Sequence, residues 1–304
     1  MHSQKSLSLQ VAITHVASQL ANTYIPLPIG SEIVEGESWQ SMSFKDWKEC
    51  VLYFFHKPLS GWIWPNIIAK RFISCDRLAA TIHQHFDSLA AVGGKFIPIT
   101  SDKYPFLLKQ IHNPPAALSA LGSIERLLES CVGVIGARKA SRYALDKTSE
   151  SASYFVKSGV TVVSGGAFGC DIEAHRASLT SENQYRTIVV FASGLSNLYP
   201  LHHKNDFDRI VNNGGLLVSE RLWGAGARPL HFPIRNRIIA GLVPALFVMQ
   251  AAQKSGARLT ANLALDFGRE VFVLRHPAND VRALGSQGLI NDGATFFISI
   301  SDII

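Results

Sequence analysis

The β-α-β unit that decides the fold lies at residues 132–175, which read VGVIGARKASRYALDKTSESASYFVKSGVTVVSGGAFGCDIEAH. The apolar run Val132–Ile135 ends at a glycine and precedes a helical stretch over 141–157. A second apolar run, Val160–Val163, leads into another glycine turn and a short helix over 171–179. Apolar runs that are bounded by glycine and separated by helices are typical of parallel strands buried on both faces.

The same pattern continues downstream and predicts a doubly wound α/β fold with a mostly parallel sheet. Further strand candidates are Ile188–Ala192, Leu216–Ser219, Ala245–Met249 and Val271–Leu274. A chain of 304 residues has room for two domains. The composition changes near residue 95, where aromatic, helical segments give way to β-branched runs. We therefore predict a small helical N-terminal domain over 1–95 and an α/β domain over 96–304.

Composition and charge exclude several classes of protein. The chain is 47% hydrophobic and 17% charged, which is ordinary for a globular protein, and its net charge of +6 permits a polyanionic partner. There is no uninterrupted apolar stretch long enough to span a membrane, no convincing signal peptide, and no CxxC pair among four dispersed cysteines. We expect a cytoplasmic protein without a membrane association.

Glycine turns follow the predicted strands at positions where an open parallel sheet binds ligands. Glycine allows close backbone approach, and the helix that follows offers unpaired N–H groups to an anion. For the first turn, a tight connection with two solvated bases is an equally good interpretation. The candidate residues in three such turns are Gly136, Arg138, Lys139 and Ser141, then Ser164, Gly165 and Gly166, and finally Ser255, Gly256 and Arg258.

The most specific stretch is FPIRNRIIAG at 232–241, which places Arg235, Asn236 and Arg237 side by side. Arginine is the residue of choice for planar, bidentate recognition of phosphate. The alternative is a structural network in which these arginines bond strand-end carbonyls or Glu220. On the phosphate-binding interpretation, replacing both arginines by alanine should weaken binding without unfolding the sheet.

A cation beside aromatic residues follows the third predicted strand. Lys204 and Phe207 lie close to Tyr199, a grouping that suits contact with a nucleic-acid backbone and its bases but that also occurs on inert surfaces. Asp171 and His175 are four residues apart on one helix, where a helix cap with a hydrogen-bonded histidine is favoured over a metal or acid–base pair.

Motifs for catalysis and cofactors are missing from the sequence. GxSxG, HExxH, the P-loop and GxGxxG do not occur. We therefore predict a binding module with no catalytic residue, no metal site and no cofactor.

The ordered motifs resemble the DNA-processing protein A family, also called Smf, whose members bind single-stranded DNA and help to load the recombinase RecA. The resemblance runs from about residue 97 to 304 and includes the following segments: Tyr104-Pro105, 113–118, 136–141, 164–171, Tyr199-Pro200, Ser219-Glu220, 232–241, 255–261 and 268–271. It implies an extended Rossmann-like sheet, sequence-independent binding of single-stranded DNA, a RecA partner and a homodimer. By this resemblance Arg138 matches the family's arginine after the first strand, and Lys204 falls in the segment that lines the DNA groove. Arg235, Asn236 and Arg237 match the family's arginine-asparagine-arginine motif. We further expect the N–H groups of the glycine turns to hold phosphates in register.

Four positions depart from the family pattern and leave other functions open. Phe168 stands where the family usually has Arg, Ala144 where it has Gly, Gln250 where it has Glu, and Gln287 where it has Asn. The first alternative function is a nucleotide-ligand pocket, as a sensor or a phosphoribohydrolase-like enzyme, although the hydrolase motif GGxGT is absent. The second is a protein-binding adaptor with a decayed pocket.

Overall fold

The structure, a computed structural model, describes residues 75–303 together with Ala12, His15, Val16, Gln19 and Lys45. The predicted N-terminal domain therefore lies largely outside the described residues, and the boundary at residue 95 stays a prediction. The strands are β1 Lys95–Pro98, β2 Ala117–Gly122, β3 Cys131–Ile135, β4 Thr161–Ser164, β5 Thr187–Phe191, β6 Leu216–Ser219, β7 Ala245–Val248, β8 Glu270–Leu274 and β9 Thr295–Phe297. The helices are α1 Cys75–Ala91, α2 Phe106–Lys109, α3 Arg142–Lys157, α4 Cys170–Arg176, α5 Lys204–Asn212, α6 His231–Leu242, α7 Gly256–Asp266 and α8 Leu284–Asn291.

The described strands form one sheet of nine with the order β1-β2-β6-β5-β4-β3-β7-β8-β9. Strands β3 to β9 pair in parallel with their neighbours, whereas β1 and β2 add an antiparallel edge beside β6. From β3 the chain winds outward to β4 and β5, and then returns to place β7, β8 and β9 on the other side. This reversal is the strand order of a Rossmann-like fold. The predicted fold class is confirmed.

Helices cover both faces of the sheet because successive strand residues point to opposite sides. Ile135 packs with Ile239 of α6 and Ala261 of α7 on one face. The neighbouring Val134 packs with Ala152 and Phe155 of α3 on the other. Since both faces are buried, the strand sequences read as continuous apolar runs.

Three strands were not predicted from the sequence, and a local feature of each explains why. β2 has the sequence ALSALG, in which alanine and leucine favour a helix in isolation. β9 is only three residues long. β1 is four residues long and ends in proline, which limits a strand to a sheet edge. Within the described ranges, no helix is both long and apolar enough to cross a bilayer.

Candidate functional site

A cleft of about 510 Å³ opens where the chain winding reverses, above the carboxyl ends of β3 and β7. This is the place at which open α/β sheets bind ligands. Its walls come from the turn after β3, the start of α4, the first turns of α6 and α7, and the segment before α8. Its lining includes Arg138, Lys139, Asp171, Phe232, Arg235, Asn236, Ser255, Gly256, Thr260 and Arg282.

The turn after β3 presents two exposed cations at the mouth of this cleft. Arg138 and Lys139 are both exposed, and no ion pair joins either to an acidic residue in the described part of the chain. The guanidinium of Arg138 lies over the ring of Phe232, 5.2 Å from its centroid. The two side chains can therefore reach an anion without breaking an existing salt bridge.

The backbone of this turn is held by Gln250, which follows β7. The side-chain oxygen of Gln250 accepts a hydrogen bond from the Ser141 N–H at 2.8 Å, and its amide group donates to Ser141 Oγ at 3.2 Å and to Asp280 at 2.9 Å. Ser141 in turn caps α3 by accepting from the Ala144 N–H. A neutral amide suits this position because a carboxylate would face Asp280. Gln250 thus links three loops around the cleft.

Arg235 lies deep in the cleft and is only 6% exposed. It donates a hydrogen bond to the carbonyl oxygen of Val190 at 2.9 Å, and the Asp171 carboxyl group faces it beside Gly165. Burial lowers the pKa of Arg235 to about 10, with Asp171 acting against that change, so the side chain is cationic at neutral pH. Burial likewise raises the pKa of Asp171, and Arg235 opposes the rise.

Gly165 is required by this arrangement. A Cβ atom at residue 165 would stand 2.7 Å from the Arg235 guanidinium carbon and 2.7 Å from the Asp171 carboxylate. These are distances that real Cβ atoms do not adopt. The second glycine turn therefore makes room for a buried arginine, whereas the sequence had suggested that it makes room for a phosphate.

Arg237 is buried and paired with Glu220, with Nη2 and Oε1 2.5 Å apart. It does not line the cleft. The expectation that Arg235 and Arg237 could be removed together without unfolding the sheet is not supported, because both are buried and hold structural partners. The alternative that the sequence left open, bonding to a strand-end carbonyl and to Glu220, describes these contacts.

Phe207 is fully buried and packs against Phe191, with ring centroids 4.9 Å apart. The prediction that it stacks on DNA bases is therefore wrong, because its ring is part of the core. Lys204 pairs with Asp208 at 2.5 Å and lines a separate cavity of about 440 Å³ beside Leu198. Lys204 and Phe207 are three residues apart on α5, but Lys204 is exposed whereas the Phe207 ring points into the core.

The sequence-predicted residues thus divide into three groups. Those that line the cleft are Arg138, Lys139, Arg235, Asn236, Ser255 and Gly256. A second group does not line the cleft but makes contacts in the loops and core that support it. Its members are Gly136, Ser141, Ser164, Gly165, Gly166 and Arg237. Of the remaining three, Lys204 lines a separate cavity, Phe207 lies in the core, and Arg258 adjoins lining residues but turns its side chain to Asp292. Whether any of them contacts DNA stays a prediction.

Several lining residues were not among those predictions. Phe232 is the first residue of the stretch 232–241, three residues before Arg235, and this position was the available signal. Arg282 is exposed and reaches the cleft from the segment before α8, where nothing in the local sequence marks it. Gln287, by contrast, is exposed outside the cleft and donates to Asn291.

His175 is a buried, hydrogen-bonded histidine, as the sequence favoured. Its Nδ1 lies 2.7 Å from the hydroxyl of Thr187, which itself donates to the carbonyl oxygen of Val162. Because that hydroxyl proton is already used, Nδ1 carries the donated proton. Burial lowers the pKa of His175 to about 3. The described residues hold no group of three metal-ligating side chains.

Known proteins match this chain over the same region. The sequence model of the family described as DNA recombination-mediator protein A matches residues 95–304. DNA processing protein DprA of Bacillus subtilis is 37% identical over 208 residues, which are 68% of this chain and 69% of that protein.

Solved structures agree with the sequence match. The X-ray structure of DprA from Streptococcus pneumoniae superposes with a TM-score of 0.71 and 27% identity, and covers 98% of this chain and 94% of its own. A structure of DprA from Helicobacter pylori, described by its single-stranded DNA binding mode, gives a TM-score of 0.63 and 27% identity over 69% of this chain and 93% of its own. With its sheet, its cleft and these matches, the chain belongs to the DNA recombination-mediator protein A family.

Proposed function

We propose that this protein binds single-stranded DNA without sequence preference, through the cleft above β3 and β7. The observation that carries the proposal is the pair of exposed cations, Arg138 and Lys139, at the mouth of a cleft located where α/β sheets bind ligands. The Helicobacter pylori relative, described by its single-stranded DNA binding mode, supports the same function here.

The exposed and buried cations would act differently on a bound strand. Arg138 and Lys139 are exposed and able to approach phosphates directly, whereas the exposed Arg282 is paired with Asp280 at 3.0 Å. Arg235 lies below them, and its Nε finds no hydrogen-bond partner among the described residues. Its charge is offset by the facing Asp171, so the positive potential that attracts a polyanion comes mainly from Arg138 and Lys139. A flexible single strand can follow such a cleft, whereas a duplex is stiff over this length.

Binding without catalysis fits the same residues. Asp171 and His175 are both buried, and Asp171 is occupied by Arg235 and by backbone groups of Ala167 and Gly136. We propose that neither serves as an acid or base toward the strand.

A salt titration tests the proposal. We would measure the fluorescence anisotropy of a labelled poly-dT oligomer between about 50 and 200 mM salt, with unlabelled duplex of the same length as competitor. We expect a steep loss of affinity with a slope of roughly −0.7 for each phosphate neutralised, and preference for the single strand. A flat salt dependence, or equal competition by duplex, would contradict the proposal.

A second candidate is a pocket for a small nucleotide. The cleft volume of about 510 Å³ is within the range of small-molecule sites, roughly 300–1,000 Å³. Mass spectrometry of the denatured protein would detect a co-purified nucleotide. Such a nucleotide, displaced only weakly by poly-dT, would favour this candidate over DNA binding.

We further propose that the protein acts in DNA recombination or the uptake of transforming DNA, as a homodimer that helps to load RecA. The description of the family as DNA recombination-mediator protein A supports the role in recombination. The dimer and the RecA partner rest on the sequence resemblance alone. Light scattering would report the dimer, and a RecA pull-down would report the partner. If RecA capture persisted in an Arg138→Ala, Lys139→Ala variant that no longer binds DNA, the two surfaces would be separate. If RecA were never captured, the loading role would fall.

A further inference from the structure

We propose that four ring-bearing side chains around Arg138 form a stacking surface for DNA bases, with Phe168 as its most important member. This inference rests on the proposed function, and it adds a second kind of contact to the phosphate contacts. The four residues, called the aromatic rim below, are Phe168, Tyr199, His202 and Phe232.

The aromatic rim consists of two pairs of rings supplied by three segments of the chain. Phe168 in the turn after β4 lies 5.7 Å from the ring of His202. Tyr199 lies 5.7 Å from the ring of Phe232, at the start of α6. Tyr199 and His202 belong to the same segment after β5, so this segment joins the two pairs.

Arg138 connects the aromatic rim to the cleft. Its guanidinium lies over the Phe232 ring. Its backbone carbonyl group packs directly against Gly169, the neighbour of Phe168, where the glycine has a φ of +78° and leaves no space for a Cβ atom. A positive charge that can reach a phosphate therefore lies against one ring of the rim, and its backbone adjoins the turn that carries Phe168.

Two rings of the aromatic rim are exposed to solvent instead of being buried in the core. Phe168 is 41% exposed and Tyr199 is 48% exposed, at the ligand-binding edge of the sheet. Phe207, which the sequence placed in the stacking role, is fully buried. Exposed rings that alternate with cations at one edge are the arrangement by which proteins hold single strands of any sequence, since every base has a face on which to stack.

Another phenylalanine, Phe106, is exposed but lies far from the cleft. Phe106 of α2 is 73% exposed. It lies at the opposite edge of the sheet, because the next turn of its helix packs Leu108 against Gly241 near the end of α6. Among the described residues Phe106 makes no ring–ring or cation–π contact, and the nearby Arg269 is taken up by the carbonyl oxygen of Leu107. Phe106 is therefore the matched control for Phe168.

The first experiment uses the unaltered protein with two oligomers of equal length. One is poly-dT, and the other has the same phosphodiester backbone with every base removed. If bases stack on the aromatic rim, the abasic oligomer should bind at least about fivefold more weakly at the same salt concentration. Equal binding of both oligomers would overturn the stacking proposal and leave DNA binding intact. If neither oligomer binds, the proposed function itself falls.

The second experiment assigns the stacking to Phe168. Phe168→Ala should weaken poly-dT binding by about 5- to 150-fold and leave abasic binding nearly unchanged. Phe168→Trp should keep most of the poly-dT affinity, because a ring remains. Phe168→Arg should replace stacking by a phosphate contact, so that the salt slope becomes steeper by roughly 0.7.

The outcomes separate the roles of the ring. Phe106→Ala should leave binding of both oligomers unchanged. Equal losses for poly-dT and the abasic oligomer in Phe168→Ala would overturn the proposal, because a stacking contact cannot act on a strand without bases. If Phe168→Ala does not fold, Phe168→Trp and Phe168→Arg still decide the matter: loss of poly-dT affinity in Phe168→Trp, with the fold intact, would contradict stacking.

Discussion

Two pairs of basic residues in this molecule look alike in sequence and differ in structure. Arg138 and Lys139 follow β3 and are exposed, without an acidic partner in the described part of the chain. Arg235 and Arg237 lie in α6 and are buried, one against Asp171 and the Val190 carbonyl and the other against Glu220. The first pair is available to a ligand, whereas the second holds the loops that shape the cleft.

The difference teaches that a cluster of arginines does not by itself identify the side chains that touch a polyanion. A buried guanidinium must be compensated by partners that stay in place, so its removal disturbs the fold. An exposed guanidinium has no such partners, so its removal alters binding alone. The more conspicuous motif in this chain is therefore the less suitable target for testing DNA contact.

Arg235→Ala should give the largest change in stability. It removes the cation facing the buried Asp171 and the donor to Val190, and we expect a loss of about 3–5 kcal/mol in the free energy of unfolding. Urea denaturation followed by circular dichroism would measure it. A loss below about 1 kcal/mol would show that the buried pair is not structural.

Arg138→Ala combined with Lys139→Ala should leave the unfolding free energy within about 0.5 kcal/mol of the unaltered protein. Affinity for poly-dT should fall by about 10- to 100-fold, and the salt slope should flatten by roughly 1.4, because two phosphate contacts are lost. Anisotropy titrations would report both quantities. Unchanged affinity in a folded variant would remove these two residues from the site.

Gly165→Ala tests whether the buried arginine needs the space beside it. The new methyl group would collide with Arg235 and Asp171, and overpacking of this kind costs about 1–3 kcal/mol. Gly256→Ala is the matched control, because no atom lies within 4 Å of a Cβ there. We expect Gly256→Ala to be neutral or to stabilise the protein by about 0.4–1 kcal/mol. Equal effects in thermal unfolding would contradict the crowding at Gly165.

Acid should destabilise the protein through its buried histidines. The pKa of His175 is about 3 in the folded state against an ordinary value of 6.5, so between these values only the unfolded state binds the proton. Stability should therefore fall as the pH drops below about 6.5, by up to about 1.4 kcal/mol per pH unit for this residue. Above that pH the group is neutral in both states and has no effect.

His175→Gln should lower the dependence of the unfolding free energy on pH in urea titrations between pH 7 and 5, about the range in which an unfolded histidine becomes charged. His202→Gln, at an exposed position, is the control and should keep the dependence of the unaltered protein. An identical pH dependence in both variants would show that the buried imidazole does not contribute.

Arg258→Ala should have the smallest effect. Arg258 pairs with Asp292 at 3.2 Å in a partly exposed ion pair and does not line the cleft. Such pairs contribute about 0–1 kcal/mol to stability. The unfolding free energy should change by no more than about 0.6 kcal/mol. The Kd for poly-dT should change by no more than about threefold. A larger loss of affinity would extend the interface toward α7.

The fold was predictable because the central strands are buried on both faces and are therefore composed almost entirely of apolar residues. Val132–Ile135 and Leu216–Ser219 are continuous apolar runs, and a sheet covered on both faces needs nothing more specific. Strand β2 could not be recognised in this way, because its ALSALG sequence takes its conformation from pairing with β1 and β6. Tertiary context there overrides local propensity.

The site was predictable as a location but not residue by residue. Turns after parallel strands converge on one edge, and Arg138 and Ser255, which were predicted from two such turns, line the same cleft. Arg235, predicted from its own motif, lines it too. The sequence could not tell which cations are buried, since Glu220 and Asp171 approach from distant segments. It also could not tell Phe207, which points into the core, from Phe168, which does not.

The hydrogen bonds of Gln250 hold the loops at the mouth of the cleft together, which bears on how tightly the proposed strand would bind. One amide side chain fastens the Ser141 backbone and Asp280 to the end of β7. The mouth of the cleft is thereby assembled before any ligand arrives, and its loops lose little freedom on association. Preorganisation of this kind favours tight binding at a given contact area. A change at Gln250 should therefore weaken binding of the proposed strand, because the freed loops would lose more conformational freedom on association, although the amide itself need not contact the strand.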